Sequence, residues 1–385
     1  MKRKLTSTAI SQIDWQFSDA DTKYLTHAIH RYSGKFIPQV ARQAIELITA
    51  PGDIILDVYV GSGTTLLEAA LTGRQSIGID LSPLAVMISK VKTTRVPLER
   101  TSAAFSELRQ SLGSQFDRQL VLGHDTSEDH TNVDIENDQR LTDDWYCKWF
   151  QGAVLEQLVS IDLAISQLGD ESRKRIAQVA LSDILRRSSN AKSGYPNVMF
   201  DKKRGTVALP WGLFEKRFQL IANSVAELPD FDALVQPQVT LGDATKLELG
   251  DCSIDAVVTH PPYIGSIPYA EYGQLSLKWF GHDPKKLDRV LTGGRRSTKD
   301  VVDRFRLGYQ KMFFETNRVL RSGGYLFLLI GSPTVKGERI DLAEMSIELA
   351  EESGFKLDAR ASRPGMNRRA NLMGEETVLF FSKVL

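Results

Sequence analysis

Apolar positions change their spacing along the chain, and the changes divide it into three stretches. Between residues 51 and 97 a short apolar run, Ile54-Ile55-Leu56, precedes a turn at Gly61-Ser62-Gly63. Helical spacing follows over 64–71, then a second run, Ser76-Ile77-Gly78-Ile79, and another helix. That order predicts two parallel strands joined by a crossover helix. A helix over 37–49 precedes them, with Pro38 in its first turn. From 98 to 235 helical spacing prevails, as at Leu155, Leu158, Ile161, Leu163 and Ile165, with polar interruptions at 122–144 and 188–206. From 236 onward strand-like runs return at Val239-Thr240-Leu241, Ala256-Val257-Val258, 325–330 and 377–381. Helices are expected over 301–320 and 341–352. Strands alternating with helices in the first and last stretches predict an α/β sheet with helices on both faces. The organisation expected is 1–97, the N-terminal segment and first part of the sheet domain; 98–235, a mainly helical insert; and 236–385, the second part. Ligands of such sheets lie at the carboxyl ends of the strands.

Composition narrows the class without naming it. The 385 residues are 42% hydrophobic and 25% charged, ordinary for a globular protein. Two cysteines, Cys147 and Cys252, are too few for a disulfide framework or a four-thiolate zinc site, so no metal is expected. The opening Met-Lys-Arg-Lys is not followed by an apolar run, because Gln12, Asp14 and Gln16 interrupt it. A cytoplasmic protein is expected. Lysine plus arginine equals aspartate plus glutamate at 48 each, which argues against bulk electrostatic attraction to nucleic acid but permits a local basic face. Two such clusters exist: Lys285, Lys286, Arg289, Arg295, Arg296, Lys299, Arg304 and Arg306, then Arg360, Arg363, Arg368 and Arg369. Each alone reads equally well as solvated surface.

The first glycine turn lies in Asp57-Val58-Tyr59-Val60-Gly61-Ser62-Gly63-Thr64-Thr65. A phosphate-binding loop would need Gly-Lys-Ser/Thr there, and no lysine is present. A dinucleotide fingerprint would need a third glycine where Leu66 stands. A phosphate-free nucleoside fits better. Asp57 and Asp80 end successive strands, and Asp80 falls where a carboxylate accepts from ribose hydroxyls. Asp243 ends a third strand, where it could take an adenine amino group. Each acid taken singly also reads as a helix cap or turn residue. A second turn, Thr259-His260-Pro261-Pro262-Tyr263, ends an apolar strand. Its two prolines remove two N–H donors and leave carbonyl acceptors, and Tyr263 adds a flat ring. Carbonyls that accept from an amino group beside a stacking ring suit a nucleobase.

These segments together resemble the DNA amino-methyltransferase family, which modifies cytosine at N4 or adenine at N6. Residues 57–65 are similar to its cofactor motif, with Val58-Tyr59 in place of the usual Pro-Phe. Gly78-Ile79-Asp80-Leu81-Ser82-Pro83-Leu84-Ala85 resembles its ribose-binding strand end. His30-Arg31-Tyr32-Ser33-Gly34-Lys35-Phe36-Ile37-Pro38 resembles the segment that precedes the cofactor motif in cytosine-N4 members. Residues 259–263 resemble its Ser-Pro-Pro-Tyr or Asp-Pro-Pro-Tyr catalytic motif, with His260 in the first place. Cofactor motif before catalytic motif is the family's gamma-like order.

The resemblance implies a Rossmann-like class I methyltransferase fold, S-adenosylmethionine as cofactor, and double-stranded DNA as substrate. It implies catalytic roles for His260, Pro261, Pro262 and Tyr263, the ring of Tyr263 stacking on a flipped base. It implies cofactor contacts for Tyr32, Lys35, Phe36, Asp57, Tyr59, Gly61, Ser62, Gly63, Thr64, Asp80 and Asp243. Lys35 and Phe36 would close over the methionine part. Arg289, Arg295 and Arg296 are the candidates for DNA phosphate contacts, and 98–235 for target recognition. Cytosine N4 is favoured as the target, because of the 30–38 segment. A partner restriction endonuclease, a monomer or homodimer, and association with the nucleoid are further expectations. If His260 touches the target amino group, activity should fall as pH drops through an imidazole pKa near ~6.5. An RNA or tRNA base methyltransferase and a non-catalytic DNA-binding homologue remain open. Tyr269, Tyr272, Trp279 and Phe280, just after the catalytic turn, fit DNA stacking or, more commonly, a core.

Overall fold

A computed structural model describes residues 5–35, 37–113, 135–195, 197–264, 268–293, 300–335, 337–364 and 375–384. After a short helix α1 (Ser7–Ser11) comes α2 (Pro38–Ile48), whose apolar face is buried and whose first position is Pro38. Strand β1 (Ile54–Asp57) leads through the glycine turn into α3 (Thr64–Leu71), and β2 (Gln75–Asp80) leads into α4 (Pro83–Lys92). These elements match the period changes in the sequence.

Five helices follow: α5 (Leu98–Leu112), α6 (Asp144–Trp149), α7 (Gly152–Gln167), α8 (Glu171–Leu185) and α9 (Trp211–Ala226). They share one apolar core, which also takes in Leu84, Ile88 and Val91 of α4. The sheet resumes with β3 (Gln238–Leu241) and β4 (Ile254–Thr259). Three short helices, α10 (Tyr269–Tyr272), α11 (Gln274–Trp279) and α12 (Pro284–Val290), come next. The long α13 (Val301–Val319) then precedes β5 (Leu320–Gly331). A small hairpin, β6 (Thr334–Val335) and β7 (Glu338–Arg339), precedes α14 (Leu342–Glu352), β8 (Phe355–Pro364) and β9 (Glu375–Lys383). Strand β8 is the element the apolar pattern does not announce. It is an edge strand, and only alternate side chains along much of it are buried.

The seven main strands are ordered β3-β2-β1-β4-β5-β9-β8. Pairs from β3 to β5 are parallel, while β9 is antiparallel to both β5 and β8. Strand order reverses between β1 and β4, which opens a crevice at their carboxyl ends. The glycine turn leaves β1 there and the His-Pro-Pro-Tyr turn leaves β4 there. Both faces of the sheet are covered. One core holds Phe305, Tyr309 and Phe313 of α13, and the other holds Val40, Ala44 and Ile45 of α2. No helix among the described residues is long and apolar enough to cross a membrane.

Candidate active site

The crevice is fixed first by Asp57, which is 2% exposed. Thr259 Oγ1 donates to its Oδ1 at 2.6 Å, which ties the ends of β1 and β4 together, and the Tyr59 N–H donates to the same oxygen at 3.1 Å. Burial pushes the Asp57 carboxyl up to about 6, against the pull of those bonds. Asp80 shapes the glycine turn from the next strand. Its Oδ2 accepts from the Gly61 N–H at 2.9 Å and its Oδ1 from the Ser82 N–H at 2.8 Å. Burial pushes this carboxyl up to about 6 as well, although both N–H groups oppose the shift. The turn needs its glycines: Gly61 has φ +50° and Gly63 φ +82°. A Cβ on Gly63 would also lie 3.0 Å from Ser89. Ser89 Oγ closes the turn by donating to the Gly61 carbonyl at 2.8 Å.

Both turns open onto one cavity. From the cofactor motif and its neighbours Tyr32, Tyr59, Gly61 and Asp80 border it, and from the catalytic motif His260 and Pro262. Asp57, Ser62 and Gly63 do not line it but support the turn, Ser62 Oγ accepting from buried Lys92 at 3.2 Å. Lys35 and Thr64 face a neighbouring cavity shared with His27, Pro38 and Arg187. Lys35 Nζ donates to the His27 carbonyl at 2.8 Å, and the Thr64 hydroxyl is buried with no partner among the described residues. Asp243 closes its own turn, accepting from the Thr245 N–H at 2.8 Å, while Gly242 and Ala244 on either side face the cavity. Arg289 is exposed at the end of α12, two residues before Leu291, which borders the cavity with Thr292. Phe36, Arg295 and Arg296 lie outside the described residues, as do Arg368 and Arg369.

Three expectations are corrected. The ring of Tyr263 does not face the cavity. It is 2% exposed, with its hydroxyl 2.6 Å from His260 Nε2 and donating to Glu376 Oε1 at 3.0 Å. A buried phenol needs hydrogen-bond partners, and these lie inward. His260 does not have an ordinary imidazole pKa. Burial pushes it down to about 4, despite a hydrogen bond to the backbone of Gly34. The second basic cluster is not one surface. Arg363 is 3% exposed and lies 3.4 Å from Glu376, while Arg360 pairs with Glu344 at 2.7 Å.

The structure also brings in residues that sequence reasoning passed over. Tyr269, grouped with aromatics of undecided role, borders the cavity, whereas Trp279 is core. Glu68 of α3 is fully buried and joins the segment before β1 to the cofactor turn. It accepts from Tyr24 at 2.6 Å and Arg42 at 2.7 Å and lies 2.7 Å from His27 Nε2. A buried acid on a helix after a glycine turn gives a usable signal only once its partners are known. Glu376 gave none, being one acid in a β-strand far from either motif.

Fold and crevice together match the class I methyltransferase fold expected from the sequence: a seven-stranded sheet of this order, an acid at the end of β1 and of β2, and a glycine turn without phosphate-binding features. A family model described as DNA methylase matches residues 4–91. The Type II methyltransferase M.MvaI of Kocuria varians is 25% identical, the alignment covering 96% of this chain and 92% of that protein. M.MjaII of Methanocaldococcus jannaschii is 22% identical over 93% of this chain and 81% of its own length. A solved methyltransferase from Methanosarcina mazei covers 89% of this chain and 97% of its own at 13% identity, with a TM-score of 0.37. Over most of its length the chain is thus similar to Type II methyltransferases, and over residues 4–91 to the DNA methylase family. Its cofactor is S-adenosylmethionine. The residues present fit that cofactor. Asp80, at the end of β2 and on the cavity wall, suits hydroxyl donors, and the cavity-lining rings of Tyr32, Tyr59 and Tyr269 suit a sulfonium.

Proposed function

We propose that the protein methylates cytosine at N4 within a specific duplex sequence, acting on a base rotated out of the stack. The observation that carries this is the single cavity bordered by Gly61 and Asp80 on one side and by His260 and Pro262 on the other. Bound S-adenosylmethionine supplies an electrophilic methyl group. Asp80 holds the ribose: each of its oxygens accepts one backbone N–H and keeps a second lone pair for a hydroxyl. Asp57 and Thr259 hold the two turns at a fixed separation. Ser62, Gly63, Thr64 and Asp243 would hold the cofactor together with Lys35 and Phe36 of the segment before β1. The Pro261 carbonyl and His260 orient the target amino group, and Pro262 walls the pocket. The amino nitrogen is nucleophilic enough for direct transfer once positioned, so no covalent intermediate on the protein is needed.

The rings of Tyr32 and Tyr269 take over the stacking surface that Tyr263 does not offer. Arg289, Arg295 and Arg296 meet the DNA backbone, and the helices between 98 and 235 read the target. Cytosine is preferred to adenine because the 30–38 segment resembles that of cytosine-N4 members. The test is to react the protein with S-adenosylmethionine and duplex DNA, digest to nucleosides and weigh them. N4-methylcytosine is expected, and it should be lost or strongly reduced with His260→Ala. N6-methyladenine would move the target to adenine. Label entering tRNA but not duplex DNA would overturn the reading.

A further inference from the structure

The catalytic turn is backed by a buried chain of polar groups that neither motif contains. His260 Nε2 lies 2.6 Å from the Tyr263 hydroxyl, that hydroxyl is 3.0 Å from Glu376 Oε1, and Glu376 Oε2 is 3.4 Å from Arg363 Nε. Topology explains how residues so distant in sequence meet. Strand β9 runs against β5, so its first residues reach the carboxyl edge of the sheet, where Glu376 sits opposite Gly331 of β5 and Arg363 of β8. Strand β4, which delivers His260, is the next strand after β5.

We infer that Glu376 is a positioning residue for methyl transfer, acting through the Tyr263 hydroxyl to set the orientation and tautomer of His260. This rests on the reading that His260 borders the pocket of the target base. The proton order follows from the inventory of groups. Glu376 Oε1 accepts from the Tyr263 hydroxyl. Tyr263 has one proton and gives it to Glu376. Its oxygen lies 2.6 Å from His260 Nε2. The imidazole is held by Tyr263 at Nε2 and by a hydrogen bond to the Gly34 backbone, and a neutral ring donates in only one of the two. Gly34 borders the same cavity and packs against Tyr269. Arg363 completes the array by opposing the burial that pushes the Glu376 carboxyl up. In this chain, therefore, a histidine with a remote carboxylate behind it stands where relatives carry one short acceptor side chain.

The test is a set of variants: Glu376→Gln, Tyr263→Phe, His260→Asn and the double variant His260→Asn/Glu376→Gln. Glu376→Gln and Tyr263→Phe should each lower kcat by about tenfold, the loss of one buried hydrogen bond, while KM for DNA and the Kd for S-adenosylmethionine stay within about twofold. With His260→Asn already present, Glu376→Gln should cost less than about threefold, because no imidazole remains to be positioned. An equal cost in both backgrounds would overturn the inference, and so would a loss of rate that only follows a fall in Tm. Long-range 1H–15N spectra of the imidazole rings, with His260 identified by its absence from His260→Asn, give a readout independent of turnover. A single tautomer is expected in the wild type, and its loss or mixing in Tyr263→Phe. A mixture of tautomers in the wild type, or an unchanged ring in Tyr263→Phe, would sink the inference. If the wild type transfers no methyl group to DNA, the functional reading fails while the spectra still judge the relay.

Discussion

The two sides of the cavity are built by different means. On the cofactor side the bonds that shape the turn are short in sequence: Gly61 to Asp80 spans 19 residues and Ser89 to Gly61 spans 28. On the catalytic side they are long. Thr259 reaches Asp57 across 202 residues and Tyr263 reaches Glu376 across 113. The first turn is one supersecondary unit, a strand, a glycine turn and a helix, and its geometry follows from local rules. The second is placed by the closure of the whole sheet. Substitutions on the cofactor side should therefore act on binding through neighbours in sequence. Those on the catalytic side should act on rate through partners far away.

The largest expected effect tests the cofactor side. Asp80→Asn has one acceptor oxygen where the carboxylate has two, so the Gly61 or the Ser82 N–H loses its partner along with a ribose contact. About 3 kcal/mol, or roughly a hundredfold in Kd for S-adenosylmethionine, is expected by calorimetry. An affinity unchanged within a few-fold would remove Asp80 from the site. Next is Gly78→Ala on β2. A Cβ there would lie 2.6 Å from Val60 and 2.7 Å from Leu66, directly beneath the turn. Overpacking of this kind costs about 1–3 kcal/mol, read as a lower Tm, and cofactor affinity should fall with it because Val60 precedes Gly61.

Acidity separates the two sides in a different way. Asp57 and Asp80 both titrate at about 6 in the free protein, raised from the ordinary aspartate range by burial. Below that pH each is neutral, and Asp80 loses the charged form that accepts from ribose hydroxyls. Affinity for S-adenosylmethionine should be flat above pH 6 and fall about tenfold for each unit below it. His260, pushed down to about 4, stays neutral throughout this range. The transfer rate with saturating cofactor should then show no inflection between pH 5 and 8. An inflection near 6.5 that vanishes in His260→Asn would mean the imidazole is solvated as its sequence alone suggests.

The same contrast explains what could be read in advance. Asp57, Gly61, Gly63 and Asp80 were legible because a strand end, a tight turn and a helix start have residue requirements within a short window. The sheet class was legible from the alternation of apolar periods. The direction of the Tyr263 ring was not. A tyrosine after two prolines fits a stacking platform until a buried carboxylate from another strand claims its hydroxyl, and nothing near Glu376 in the sequence announces that. The pKa of His260 was hidden for the same reason, since burial is a property of the assembled fold. Arg363, one of four arginines in a row of apparent surface charge, is turned inward by that same carboxylate. Strand β8 escaped notice because an edge strand with only four of its ten side chains buried has too little apolar content to stand out.

The smallest expected effect concerns the rim rather than either wall. Arg289 is exposed, and its own carbonyl accepts from Arg304 at 2.7 Å, so α12 and the start of α13 are joined next to the residues that border the cavity. An exposed guanidinium there can reach a phosphate but, lying outside the cavity, has no part in holding base or cofactor. A phosphate contact contributes to affinity mainly by releasing a counterion, so its removal should weaken DNA by a few-fold at moderate salt and reduce the slope of log K against log salt by about 1. Arg289→Ala should do both for target and non-target duplexes alike, with kcat at saturating DNA unchanged. A loss confined to the target sequence would make Arg289 a base-reading residue, and the boundary between rim and recognition surface would have to move into α12. An unchanged salt slope would instead leave the rim on this side of the cavity without a DNA contact from α12.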